Sequence, residues 1–573
     1  MAGKSTRRQF VGNGLGAVAL GLTAPAALGA GPRRSISSND AARVKASAPF
    51  NPIPHNPTSV MVDGIPFAPK FTGDHFFNPH TGLPFLNDTK ITPDEETDVI
   101  VVGGGMSGMA TAYMLRDQRP ILLEMWDRFG GNAQGETWRG TSYSLGSAYI
   151  ITPDKGSFLE SFYKDLGLDQ AFRLSIDDDT HEIDGVVRTN LYDGLDLPPD
   201  QVQCFNDYAD LVALMGEEYP EIPYPKGDEK YIFELDRLTL KDHVEMSLGG
   251  PVPTLLEAGI QSYCYSSFCA GWEEISAASG WNFVAAEEFG RWVFPGGNAY
   301  MINQMWRRLA RMKSKGEGGP ILRAGCQVVD IRLDGPDHVL VTHRTATPLA
   351  KNKFSHKFKT IRARRVVVAC PKHIAKHVIH DIDKLDPQKL DAMDQIDYGA
   401  YLVVNVLLRR PIPQDFYDVF LLGKEGEFPT NDTDASLQRH VIDMTQGSYN
   451  TPPGAFGELT LYWPLPWGSS RFTLVGGQGS FDDYAKRLAE QLPGMLKLID
   501  MAVEDVVQVR MTQWGHAMPR SEPNFIASGK AELVQRPIDD RIWFVNQDNW
   551  VLPAVENALI DANTYVPQLL GTL

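Results

Sequence analysis

The stretch "DVIVVGGGMSGMATAYMLRDQRPILLEM", residues 98–125, limits the fold more than any other part of the chain. A β-branched apolar run leads into Gly103, Gly105 and Gly108, spaced G-x-G-x-x-G. A helical segment rich in Ala and Met follows, and a second apolar strand ends on Glu124. Each glycine has a separate reason to be there. Gly103 permits a tight turn, Gly105 lets backbone approach a pyrophosphate, and Gly108 lets helix and strand pack closely. A helix opening at Met106 and Ser107 aims free N–H groups and its positive end at phosphates. Glu124 stands twenty-one residues after Gly103, where a carboxylate can accept hydrogen bonds from ribose hydroxyls. The unit therefore predicts a bound dinucleotide, with NAD and FAD equally compatible.

A chain of 573 residues exceeds one hydrophobic core, so at least two domains are expected. The net charge of −17 argues against a nucleic-acid partner and suits a cationic small molecule. No interior apolar run is long enough to span a bilayer, so no stable membrane insertion is expected. Residues 1–30 read as a separate segment. Arg7 and Arg8 precede Phe10 and a Gly/Ala-rich apolar stretch ending in small residues. This resembles a twin-arginine export signal and predicts a periplasmic or secreted protein. The five cysteines (Cys204, Cys264, Cys269, Cys326 and Cys370) include no Cys-x-x-Cys pair and read as buried thiols.

Residues 31–96 are rich in Pro, Asn, Gly and Ser and predict an extended arm on the body. "CQVVDIRLDGPDHVLVTHRT" alternates and turns like a hairpin, and "TIRARRVVVACP" is a continuous apolar strand of the buried parallel kind. "YGAYLVVNVLLRR" and "GELTLYWPLPW" are further strands, and "DDYAKRLAEQLPGML" is an amphipathic helix. The chain closes with the strand "RIWFVNQDNW" and a helix with Pro553 in its first turn.

After the second strand the sequence runs Glu124-x-x-x-Arg128-x-Gly130-Gly131. Arg128 can neutralise phosphate charge, and the glycine pair lets backbone run against a cofactor. This string resembles the second fingerprint of the flavin-containing amine oxidase and phytoene desaturase superfamily. Asn132 stands where that family usually has arginine. Three more stretches agree in order: "FPGGNAYMINQMWRRL", "AGCQVV" and "RIWFVNQDNWVLPAVENAL". Among relatives, "RFGGNAQGETW", "SFDDYAKRLAEQLPGML", "QWGHAMP" and "NQDNWVLPAVENA" are most similar to bacterial spermidine dehydrogenase-like FAD proteins.

The resemblance implies FAD rather than NAD. It places Val328 at a backbone contact to the adenine and Asp548 beside a ribityl or phosphate hydroxyl. The last helix, with Val555 in its first turn, would lie beneath the isoalloxazine N1/C2 edge. Spermidine dehydrogenases also carry haem. Their N-terminal arm is not matched here, so haem is doubtful, with His55, His75 and His80 as weak candidates. The implied fold is α/β: a discontinuous Rossmann-type FAD-binding domain with an inserted α+β substrate domain. The FAD-binding parts are expected at 97–190, 290–375 and 505–573, and the substrate parts at 191–289 and 376–504.

The implied chemistry is dehydrogenation of a small-molecule amine, such as a polyamine, by hydride transfer to flavin N5. The acceptor that reoxidises the flavin, oxygen or a redox carrier, stays open. A desaturase or isomerase of an apolar polyene and an electron-shuttling flavoprotein are the alternatives. Trp514 and His516, two apart on an extended segment, face one side and are the candidate catalytic pair. Tyr462, Trp463 and Trp467 suit either a channel or sheet packing. Trp272, Glu273, Glu274 and Trp281 suit either a tunnel end or a helix surface. His373, His377 and His380 fall roughly on one helical face, but no fourth ligand is near, so no metal is expected.

Overall fold

The computed structural model describes residues 50–52, 57–73, 91–176, 179–191, 197–314, 321–350, 353–424, 441–452, 454–466 and 470–573. The expected export segment, His55, His75, His80 and Trp467 lie outside the described residues. No helix among the described residues is long and apolar enough to cross a membrane.

In chain order the elements that build the site are β1 (Glu95–Val102), α1 (Met106–Met114), β2 (Ile121–Leu123), α2 (Thr254–Phe268), β3 (Ile321–Arg323), β4 (Gln327–Asp334), β5 (His338–Ala350), β6 (Lys353–Val368), β7 (Tyr398–Leu408), β8 (Asp418–Gly423), β9 (Asp443–Thr445), β10 (Glu458–Leu465), β11 (Val506–Pro519), β12 (Ile542–Phe544) and α3 (Val555–Leu570).

Seven strands form the first sheet, in the order β3-β2-β1-β6-β5-β4, with β12 also paired to β6. The end of β6 runs parallel to both β1 and β12, while its beginning pairs antiparallel with β5. Three distant pieces of chain thus meet at one strand. Residues Val99–Val102 are buried on both faces. Val99 and Val101 join one core with α1 and α3, and Ile100 and Val102 join another. This two-sided burial is why the run is continuously apolar rather than alternating. The hairpin expected after Cys326 is present as β4–β5 and continues into β6.

The second sheet places β8-β9-β10-β7-β11 in that order, with each neighbouring pair antiparallel. The arm's hairpin Val60–Val62 and Ile65–Phe67 extends the β11 edge. Leu402, Val404 and Val406 pack under the helix Gln478–Leu498, whereas Tyr401 and Val403 line a cavity. One face is core and the other is functional wall, as the two-residue period requires.

Three details differ from the sequence expectations. Strand β11 belongs to the second sheet, although the sequence division groups it with 505–573; alternation shows a strand but not its neighbours. Pro553 is not in the first turn of the last helix: Ala554 is still extended (φ −104°, ψ 141°), and the helix starts at Val555. The helix after "RRVVVACP" ends at Val378, so His373 and His377 lie on one face of it and His380 does not. His380 lies beyond it and donates its N–H to Ile331 O.

Glu458 on β10 has no exposure and accepts from Asn405 Nδ2 at 3.0 Å and from Thr460 Oγ1. Burial pushes its pKa up to about 8 from an ordinary 4.5. Between those values the folded state holds a proton that the unfolded state has lost, so this group removes stability as pH rises. Glu458→Gln mimics the protonated form. Its stability relative to wild type should grow from pH 5 to pH 8, by at most about 1.4 kcal/mol per unit. Urea unfolding of both proteins at three pH values checks this, and a pH-independent difference would contradict it.

Candidate active site

The first glycine turn is built by steric necessity. Gly103 has φ +103°, and a Cβ on Gly108 would sit 1.8 Å from Gly103 O. The second loop packs directly on the first. Gly130 N–H donates to Gly104 O at 2.9 Å, and a Cβ on Gly131 would approach Gly105 Cα to 3.1 Å. Gly130 and Gly131 both hold positive φ, +131° and +56°. Glu124 ties the two loops to the end of β2. Its carboxylate accepts from Gly104 N at 2.6 Å and from Trp126 N at 2.7 Å. Burial pushes its pKa up to about 7. Asn132, where the resemblance would have arginine, donates Nδ2 to Ala517 O at 2.8 Å. It therefore anchors the second loop to β11.

The C-terminal segment closes the same space. Asp548, 1% exposed, accepts through Oδ2 from Tyr398 Oη at 2.6 Å and from Lys372 N at 2.8 Å. The N-terminus of α3 has no side-chain cap. Pro553, Val555, Glu556 and Asn557 line the cavity there, leaving first-turn donors aimed into it.

The cavity has a volume of about 730 Å³ and runs from Glu124 and Val328 past Asp548 to the wall formed by the second sheet. It is lined by Gly103, Gly105, Met106, Ser107, Glu124, Gly130, Gly131, Asn132, Val328, Asp548 and Val555, and by both Trp514 and His516. Gly108 and Arg128 are not in its lining. Trp514 donates Nε1 to Leu145 O at 2.8 Å. The His516 ring stacks on His373 with centroids 4.2 Å apart and an angle of 15°. Burial, assisted by Arg471, lowers the His516 pKa to about 4, so the ring is neutral at physiological pH.

Beyond them lies an acidic, aromatic region that the motifs did not mark. Tyr149 and Tyr263 each donate to Glu287 Oε1 at 2.9 Å. Arg291, 1% exposed, bridges Glu287 and Asp418. Asp443 Oδ2 accepts from Ser266 Oγ on α2 at 2.7 Å. The rings of Tyr401 and Tyr462 meet edge to face at 5.9 Å. Of the other sequence candidates, Tyr462 lines the cavity; Trp272, Glu273, Glu274, Trp281 and Trp463 do not.

The profile of the family described as "Flavin containing amine oxidoreductase" matches residues 106–540. The chain belongs to this family. Oxidoreductase PigB of Serratia sp. is 20% identical over 539 residues, which span 83% of this chain and 76% of PigB. Flavin-containing amine oxidase B of Rattus norvegicus is 33% identical over a shorter stretch, 22% of this chain and 24% of its own length. The carotenoid 3,4-desaturase of Haloarcula japonica is 28% identical over 30% of this chain and 35% of its own length. Among solved structures, cyclohexylamine oxidase from Brevibacterium oxydans superposes with TM-score 0.56, 17% identity, 83% of this chain and 99% of that one. Putrescine oxidase bound to putrescine gives TM-score 0.57 with 15% identity over 83% of this chain and 99% of that one.

The amine oxidoreductase is thus FAD-dependent, and its own residues fit the cofactor. Asn557 Nδ2, in the cavity lining and 2% exposed, has no hydrogen-bond partner among the described residues. Orphaned donors of this kind call for acceptors. The phosphates of FAD would lie between the α1 N-terminus and the Gly130 loop, its ribose by Glu124, and its ring near the α3 N-terminus. Residues missed from sequence are Tyr398, Glu287, Arg291, Asp418 and Asp443, while His373, named there only as a weak metal candidate, lines the cavity. They sit on strands or helices with no local motif.

Proposed function

We propose that this FAD-dependent oxidoreductase dehydrogenates a diamine or polyamine of the spermidine class after export by a twin-arginine route. The observation that carries the substrate reading is the charge of the cavity wall. Among the described residues, its lining contains eight carboxylates, one guanidinium and no lysine. Three of the acids, Glu124, Asp548 and Glu556, lie at the cofactor end. Glu287, Asp418 and Asp443 face the region beyond, where a cation is favoured and an apolar polyene is not. Aromatic rings of Trp514, Tyr401 and Tyr462 hold the alkyl chain and favour a cation at their faces. Asp443 and Trp514 stand on β9 and β11, with β10 and β7 between them. Three inter-strand steps give roughly 14 Å of wall, enough for a ligand with separated nitrogens. The names of the solved neighbours, cyclohexylamine oxidase and putrescine oxidase, point the same way. Bound FAD supplies a hydride acceptor, and the protein's part is to place the neutral reacting amine and exclude water.

Anaerobic mixing of the purified holoenzyme with mono-, di- and polyamines, following loss of oxidised-flavin absorbance, tests this reading. Reduction by polyamines and not by polyenes is expected, and a flavin that no amine bleaches would overturn it. Asp443→Asn should raise KM for di- and polyamines about thirtyfold and leave a monoamine's KM within a fewfold. Equal changes for both substrate classes would remove Asp443 from recognition. Fractionation of cells carrying the full chain, with Arg7 and Arg8 intact or both changed to lysine, tests export.

A further inference from the structure

The carboxylate of Asp548 is held by a residue of the other half of the fold. Tyr398 opens β7, the strand whose later residues Tyr401 and Val403 line the amine side of the cavity. Its ring is pinned by two imidazoles, with centroids 4.6 Å from His373 and 5.9 Å from His516. Its hydroxyl reaches back to the C-terminal segment and donates to Asp548 Oδ2 at 2.6 Å. On the same oxygen, Lys372 N donates at 2.8 Å from the helix that follows β6. Asp548 is anchored from below as well: its own N–H donates to Asn546 Oδ1 at 2.9 Å. The neighbouring Asn549 accepts from Lys372 Nζ at 2.6 Å and donates to Asp561 Oδ2 at 2.6 Å.

Both donors from other described residues thus end on Oδ2, leaving Oδ1 to its own backbone N–H and the cavity that Asp548 lines. Rotation about the carboxylate bond would exchange the two oxygens. The tyrosine and the amide together prevent it and keep one oxygen outward. Burial and the adjacent carboxylate push the Tyr398 hydroxyl well above its usual pKa, so it remains a donor at every working pH.

We infer that Tyr398 is a positioning residue for FAD, fixing the Asp548 carboxylate from the substrate-side sheet so that Oδ1 meets a cofactor hydroxyl. This inference rests on FAD binding and not on which amine is oxidised. It makes the cofactor cradle incomplete until the second sheet has docked.

The test is a double-mutant cycle on apoprotein titrated with FAD, read by quenching of flavin fluorescence. Tyr398→Phe keeps the ring that packs against His373 and His516 and removes only the donor. Its FAD dissociation constant should rise about tenfold, the size of one hydrogen bond to a charged group. In an Asp548→Asn background the same change should alter affinity less than twofold, because the carboxylate it orients is gone. Unchanged affinity in the single variant would overturn the inference. So would an equal loss in both backgrounds, including a loss that tracks a lowered apoprotein melting temperature, since that is what a merely structural tyrosine would give.

Discussion

Replacing Gly108 with alanine should produce a protein that no longer retains flavin and unfolds at much lower denaturant. The added Cβ would lie 1.8 Å from Gly103 O, 2.9 Å from Gly103 C and 3.4 Å from Ala369 Cβ. Two of these atoms are backbone of the glycine turn itself, so no rotamer change relieves the contact. Either α1 lifts from β1 or the turn opens. Both move the N–H groups at Met106 and Ser107 away from the cofactor space. Overpacking of a core costs about 1–3 kcal/mol, and more when backbone must move, so a loss of about 3 kcal/mol is expected. Flavin absorbance per protein after purification and urea unfolding are the readouts. Gly216→Ala is the control: it sits in a helix with open space around its Cβ position and should be neutral to stabilising. A fully yellow Gly108→Ala protein with wild-type stability would mean that helix and turn are not packed in this way.

Arg291→Met should be comparably severe for a different reason. Arg291 is buried and faces two carboxylates, Glu287 and Asp418, with tyrosine hydroxyls already donating to Glu287. Methionine fills similar volume and removes the one guanidinium in the lining among the described residues. Breaking a buried ion pair from one side costs about 3–5 kcal/mol, because the remaining charge has no counterpart. Denaturant unfolding should show a loss of that size. Adding Glu287→Gln and Asp418→Asn to the same variant should return most of it, since the stranded charges are then neutral. Failure of the triple variant to recover would place the cost in packing around Arg291 rather than in charge.

Much of the cofactor end is legible in sequence because its constraints are local. Gly103, Gly105 and Gly108 are fixed by one turn and the helix that follows it. Gly130 and Gly131 both have positive φ and meet the first turn backbone to backbone, so a pair of glycines is a readable mark. The β4–β5 hairpin and the buried end of β6 are equally visible from alternation and from an unbroken apolar run. The amine end is a different case. Glu287, Asp418 and Asp443 come from a short helix, a strand and another strand, each far from the others in sequence. Nothing in their local patterns distinguishes them from surface acids. Asp548 was legible as an acid in a motif, but its engagement with Tyr398, 150 residues away, was not.

The sequence by itself determined that this chain holds a dinucleotide, and the resemblance carried by its second glycine pair narrowed that to FAD: glycine spacing and a strand-terminal acid act through turn geometry and helix dipoles, which reach only a few residues. Only the tertiary structure decided what faces the cofactor. Which strands pair in the second sheet, and hence which acids and rings share the cavity wall, depends on contacts between segments far beyond the reach of a local repeat, as when Tyr398 pairs with Pro519, and short-range periodicity carries no record of them.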